Sequence, residues 1–262
     1  MRFLCLHGRG TCSQIFEIQT GKPFSTAAHL KEEQWIVRKI PKKGLGFLTS
    51  ILAAIREEFT DHEFIFIDGT FPTEQNNGVT IVTGSSYGFL PATVNNSREV
   101  RDAVAALADY VDHEGPFDGM MGFSEGAIMA ATLLVEDAKN SAMGLKCGIF
   151  FSGGLPLDPE LLRGECVRCV DPLTDGVAIR VPTAIIVEED LGRLSCRSPL
   201  SGLWGQGDIS RGLVDICEPS LREVVLHSIG HQIPSFKSPE LNAILRAMER
   251  TIDRATELYI ES

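Results

Sequence analysis

Phe117-Asp118-Gly119-Met120-Met121-Gly122-Phe123-Ser124-Glu125-Gly126, running on into Ala127-Ile128-Met129-Ala130-Ala131-Thr132-Leu133-Leu134, decides how this 262-residue chain is read. The first half is a short apolar run that reads as a buried strand, and the second is built of good helix formers. Between them lies G-x-S-x-G. A serine placed there sits on a strand-to-helix turn so sharp that its own backbone is strained. The glycines two residues to either side have no Cβ, so strand and helix can cross closely. The turn lifts the Ser124 hydroxyl above the sheet, and the helix N-terminus aims backbone N–H groups at any negative charge that develops beside it. A plain strand-to-helix turn requires no such combination, and the pattern makes Ser124 a candidate nucleophile.

On either side of this stretch, strand-like runs alternate with helix-like ones. Strands are predicted at residues 2–7, 63–68, 119–123, 147–152, 183–187 and 223–227, all short and apolar, as strands buried on both faces should be. Helices are predicted at 49–59, 97–114, 125–139 and 239–259, with Ser97 as N-cap candidate for the second. The alternation implies a mainly parallel sheet of about six strands with helices on both faces, in one domain spanning residues 1–262. Residues 69–96, rich in Gly, Ser, Thr, Asn and Pro, follow the second strand. A loop of that length beyond a strand's C-terminal end is expected to be a lid or pocket wall.

Composition narrows the classes further. Thirty-five acidic against 24 basic residues give a net charge of −11, the wrong sign for a nucleic-acid binder. The apolar start is too short for a signal peptide, and no run approaches the length of a membrane span. Seven scattered cysteines in such a chain are expected to be reduced thiols, which points to the cytoplasm. Cys166-x-x-Cys169 lacks the second pair that a structural zinc needs.

A serine hydroxyl needs a base, and the base needs an orienting acid; along a strand–elbow–helix fold they follow in the order Ser, Asp or Glu, His. Only His227 and His231 follow Ser124. His231 lies in the loop after the last predicted strand, where the base belongs, whereas His227 ends that strand. Asp208, closing the turn Trp204-Gly205-Gln206-Gly207-Asp208, is the preferred acid over Asp190. The oxyanion would be held by the backbone N–H groups of Glu125 and of Arg9, in the loop Leu6-His7-Gly8-Arg9-Gly10. That loop also resembles a dinucleotide fingerprint, but Ser13 stands where its third Gly or Ala belongs, and the acid ending the next strand, Asp68, is far too distant.

Taken together, Leu4-Cys5-Leu6-His7-Gly8, the stretch from Phe117 to Ala127 and Gly230-His231-Gln232-Ile233-Pro234 resemble the fungal family of serine hydrolases, which includes thioesterase-like hydrolases of polyketide pathways. The resemblance covers most of the chain. It implies an α/β-hydrolase fold and a cytosolic esterase or thioesterase without metal or organic cofactor, with Ser124, Asp208 and His231 as the triad. It further implies a small-molecule or carrier-bound acyl substrate, on a polyketide synthase carrier domain for example. A general short-chain carboxylesterase and a non-catalytic binding protein of the same fold are the alternatives. Two segments depart from the family pattern: residues 21–49, which include Arg38-Lys39-Ile40-Pro41-Lys42-Lys43, and residues 187–202, which separate a strand from its acid turn. They are either lid insertions or translated intron sequence.

Overall fold

The computed structural model describes residues 1–20, 54–75, 85–189, 209–233 and 238–260. Six parallel strands form the central sheet: β1 (Arg2–Leu6), β2 (Glu63–Ile67), β5 (Gly119–Phe123), β6 (Cys147–Phe151), β7 (Thr183–Glu188) and β8 (Arg222–His227). Their order is β2-β1-β5-β6-β7-β8. Two short strands, β3 (Phe71–Thr73) and β4 (Ser86–Gly88), make a separate antiparallel pair.

The inner strands are apolar because each feeds two cores. Leu4, Leu6, Met120, Phe150, Ile185 and Val187 join one cluster; Phe3, Cys5, Met121, Ile149, Ala184 and Ile186 join the other. Over the first cluster lie α3 (Ser97–Glu114), α4 (Glu125–Asn140), α5 (Pro159–Arg163) and α6 (Ile209–Ile216). Over the second lie α1 (Ser13–Thr20), α2 (Ala54–Glu58) and α7 (Leu241–Ile260). Helix α3 shows the usual logic. Val100, Val104, Leu107 and Val111 recur at helical spacing and are buried, each worth roughly 1.5–3 kcal/mol. Its N-cap is Asn96 and not Ser97: the Asn96 side chain accepts from the N–H groups of Arg98 and Glu99. Helix α4, by contrast, is buried almost all round, which its run of Ala, Ile, Met and Leu permits.

The topology prepares a crevice. Strand β1 pairs with β2 on one side and β5 on the other, so the loops leaving β1 and β5 diverge from adjacent strand ends, with Leu6 opposite Gly122. The segment after β2 folds back over the first of these loops. Tyr87 exchanges backbone hydrogen bonds with Gly10 and Thr11, and Gly69 lies so close to Gly88 that a Cβ there would fall 2.3 Å from its carbonyl oxygen. Residues 21–49 lie outside the described residues. Of residues 187–202 the first three are described. Val187 closes β7 as predicted and Glu188 extends it by one residue, because β8 continues the pairing through Val187–Leu226 and Glu188–His227. Among the described residues no helix is long and apolar enough to cross a membrane.

Candidate active site

Ser124 stands between β5 and α4 with φ 55° and ψ −118°, a conformation that non-glycine residues rarely adopt. Neighbouring backbone leaves it little choice. A Cβ on Gly122 would lie 2.5 Å from the Ala127 nitrogen, and one on Gly126 would lie 2.1 Å from the Leu6 carbonyl oxygen. The Ser124 N–H is tied to the Phe151 carbonyl at 2.9 Å, and its carbonyl accepts from Ala127 and Ile128 as α4 begins. Its hydroxyl does not cap the helix. It stands instead 2.9 Å from Nε2 of His231.

His231 is delivered by the loop after β8. Gly230, at φ 75°, turns the chain, and the imidazole lies against the Phe123 ring with centroids 5.1 Å apart. Its Nδ1 is 2.8 Å from Oε1 of Glu188, the last residue of β7. An ionised carboxylate only accepts, so Nδ1 carries the proton and Nε2 is left with its lone pair toward the Ser124 hydroxyl. Burial alone would push the Glu188 carboxyl up. The hydrogen bond from His231 opposes this, and Glu188 is held below the ordinary carboxylate range.

The structure therefore brings Ser124 and His231 together and sets Glu188 behind them. Asp208 and Asp190 both lie outside the described residues. Glu188 escaped the sequence reading because β7 was expected to end at Val187, with an insertion beginning there. A carboxylate closing the strand next to the one that carries the base was the available signal. His227, at the end of β8, is fully buried, and neither ring nitrogen has a hydrogen-bond partner among the described residues. Burial lowers its pKa. It is a neutral core histidine, though an unsatisfied one.

The opposite wall is the loop after β1. A Cβ on Gly8 would lie 2.8 Å from the Phe123 ring and 3.4 Å from Ser124 Cβ, so bare backbone passes beside Ser124. The Gly8 carbonyl is held by His7 Nδ1 at 2.8 Å and by the Thr11 hydroxyl at 2.5 Å. His7 Nε2 accepts from the Gly69 N–H at 2.9 Å, which fixes the Nδ1-protonated tautomer, and burial lowers the His7 pKa so that the ring stays neutral. In a trans peptide the N–H points away from the C=O, so pinning the Gly8 carbonyl also fixes the direction of the Arg9 N–H.

Glu125 does more than complement the dipole of its helix. Its side chain is 1% exposed; Oε1 accepts from Arg9 Nη1 at 2.9 Å and Oε2 from the Phe89 N–H at 2.8 Å. Arg9 Nη1 also donates to the Leu90 carbonyl at 2.9 Å. Burial raises the Glu125 pKa, and Arg9 pulls it back only in part. Away from the site, Cys166 is exposed and Cys169 buried, and no cluster suited to a metal ion occurs among the described residues.

Comparison with known proteins agrees with this architecture. Esterase FPY3 of Fusarium mangiferae is 26% identical over 256 residues, covering 97% of this chain and 98% of its own length. Esterase C25G4.2 of Caenorhabditis elegans is 29% identical over 169 residues, covering 61% of this chain and 62% of that relative. Among solved structures, a Bacillus cereus carboxylesterase aligns over 97% of this chain and 87% of its own, with 15% identity and a TM-score of 0.44. The parallel six-stranded sheet with helices on both faces is an α/β fold. The family model described as Serine hydrolase (FSH1) matches residues 1–190, well over half of the chain, and the chain belongs to that family of serine hydrolases.

Proposed function

We propose that the chain cleaves an ester or thioester through an acyl-enzyme on Ser124, with His231 as base and Glu188 as the carboxylate that orients it. The observation that carries this reading is the unbroken line from Ser124 Oγ to His231 Nε2 at 2.9 Å and from His231 Nδ1 to Glu188 at 2.8 Å. His231 takes the hydroxyl proton as Ser124 attacks the carbonyl carbon. The imidazolium that forms is stabilised by Glu188 and gives its proton to the leaving alcohol or thiol. Water, deprotonated by the same ring, then releases the acid. The backbone N–H groups of Arg9 and Glu125 hold the oxyanion in both steps. His7 supports the first of these donors by fixing its peptide plane.

The substrate we favour is an acyl chain carried as a thioester, on a polyketide synthase carrier domain for instance, following the family resemblance of the sequence. The β3–β4 segment, folded over the loop after β1, is read as a wall of the acyl pocket. A simple carboxylesterase is the second reading, favoured by the name "esterase" borne by similar proteins. Two measurements decide. A fluorophosphonate probe should label the wild-type protein and leave Ser124→Ala unlabelled; a folded wild-type protein that stays unlabelled would sink the hydrolase mechanism. Turnover of matched acyl thioesters and oxygen esters then separates the two substrate classes, and a clear preference for the oxygen ester would overturn the thioesterase reading.

A further inference from the structure

The two residues whose backbone N–H groups are read as the oxyanion hole are joined to each other a second time, through their side chains. We propose that the Arg9–Glu125 ion pair, buried on its Glu125 side, is a positioning device that sets the spacing of the oxyanion hole and ties it to the segment entering after β4. This inference rests on the acyl-enzyme reading above.

Three observations carry it. First, the pair is local to the hole on both sides. Arg9 follows Gly8, which borders Ser124 Cβ, and Glu125 is the first residue of α4. Both side chains are held by partners of their own. Second, the carboxylate is saturated by donors from elsewhere in the chain. Arg9 Nη1 reaches one oxygen at 2.9 Å and the Phe89 N–H the other at 2.8 Å, with the Glu125 side chain 1% exposed. Third, the same Arg9 nitrogen donates to the Leu90 carbonyl. The loop after β1, the helix behind the nucleophile and the Phe89–Leu90 segment thus meet at one charge pair. A glutamine cannot replace the acid without loss, because one of its two polar atoms is itself a donor and would face a donor.

An ion pair that merely stabilised the fold would affect stability and activity together. A positioning pair separates them. Removing one partner leaves a buried charge unpaired and destabilises the protein, whereas neutralising both largely restores stability. The proposal therefore turns on Arg9→Met/Glu125→Gln compared with each single variant, Arg9→Lys and the wild type. Melting temperature and kcat and KM on a p-nitrophenyl acyl ester are measured for each, together with the affinity for a boronic acid that mimics the tetrahedral intermediate.

We expect both single variants to melt lower than wild type and the double variant to regain most of that loss. Its kcat should stay about 10²-fold down, comparable to loss of one oxyanion donor, with KM little changed and boronate affinity reduced in parallel. Arg9→Lys, which keeps the charge on a shorter stem, should recover part of the kcat lost in Arg9→Met. A double variant that melts like wild type and turns over at the wild-type rate, beside an active wild type, would overturn the inference alone. A well-folded wild type as inert as Ser124→Ala would remove the hydrolase reading and this inference with it.

Discussion

Glu188→Gln is the substitution that tests the site most directly. It keeps the size of the side chain and removes the charge facing the base. The amide NH₂ can donate to His231 Nδ1 and turn the ring to the Nε2-protonated tautomer, which cannot accept the Ser124 proton. At the observed 2.8 Å, a carboxylate and an imidazolium attract by about 6 kcal/mol at an effective dielectric near 20, and Glu188 is too well buried for water to screen much of this. At about 1.4 kcal/mol per decade, that corresponds to roughly 10⁴ in kcat, the loss found when Asn replaces the acid of the serine-protease triad. Steady-state kinetics on an activated ester, with fluorophosphonate labelling rate as a second readout, would measure it. Asp208→Asn and Asp190→Asn should be nearly silent in the same chain. A deletion of residues 187–202 removes Val187 and Glu188, the last two residues of β7, and should lose at least as much activity as Glu188→Gln. If Glu188→Gln keeps near-full turnover in the intact chain while Asp208→Asn loses four decades, the geometry at His231 Nδ1 is not the working one.

Other expectations are simpler to check. Gly126→Ala would drive a methyl group to 2.1 Å from the Leu6 carbonyl, a backbone atom that cannot yield, so a loss of more than about 3 kcal/mol is expected in a denaturant titration. His227→Ala should retain activity within about an order of magnitude, whereas His231→Ala should fall as far as Ser124→Ala, because triad members act as a unit. Burial would raise the Asp118 carboxyl, but Lys146 and the Arg2 N–H hold it below its ordinary value. Its contribution to stability is then full above the unfolded carboxyl's pKa of about 3.9 and is lost as pH falls through the lower folded value. Asp118→Asn should accordingly flatten the stability–pH curve on the acid side of about pH 4, measured by melting temperature. Transcript reads spanning residues 21–49 and 187–202 as coding sequence would refute their origin as introns.

The elements of this fold were largely legible because its inner strands are buried on both faces. An apolar run such as Cys147–Phe151 announces itself without any knowledge of its neighbours, and the spacing of Val100, Val104, Leu107 and Val111 does the same for a helix. The elbow was legible because two glycines and a serine at fixed spacing encode a backbone shape. What stayed hidden depends on partners distant in sequence. Glu188 belongs to β7 only because β8 pairs with it, and no local signal reports that register. The side chain of Glu125 was read as a helix-dipole acid because its partner, Arg9, lies 116 positions away. The cap of α3 shows a smaller failure of the same kind. Asn96 and Ser97 are both good caps, and the choice between them was made by where the backbone bends.

Strand β8 has a consequence for when this protein can act. Among the described residues it is the last strand, and it stands at one edge of the sheet beside β7, with Val224 and Leu226 half exposed. Ser124 sits near the sheet's centre, whereas His231 hangs from this border. A chain emerging from the ribosome can thus complete β1 through β7 and present a serine with no base. Hydrolytic competence arrives only when the final strand docks. On heating, the same border is the part expected to fray first. Catalysis should therefore fail below the global melting transition, and return on cooling without the core having come apart.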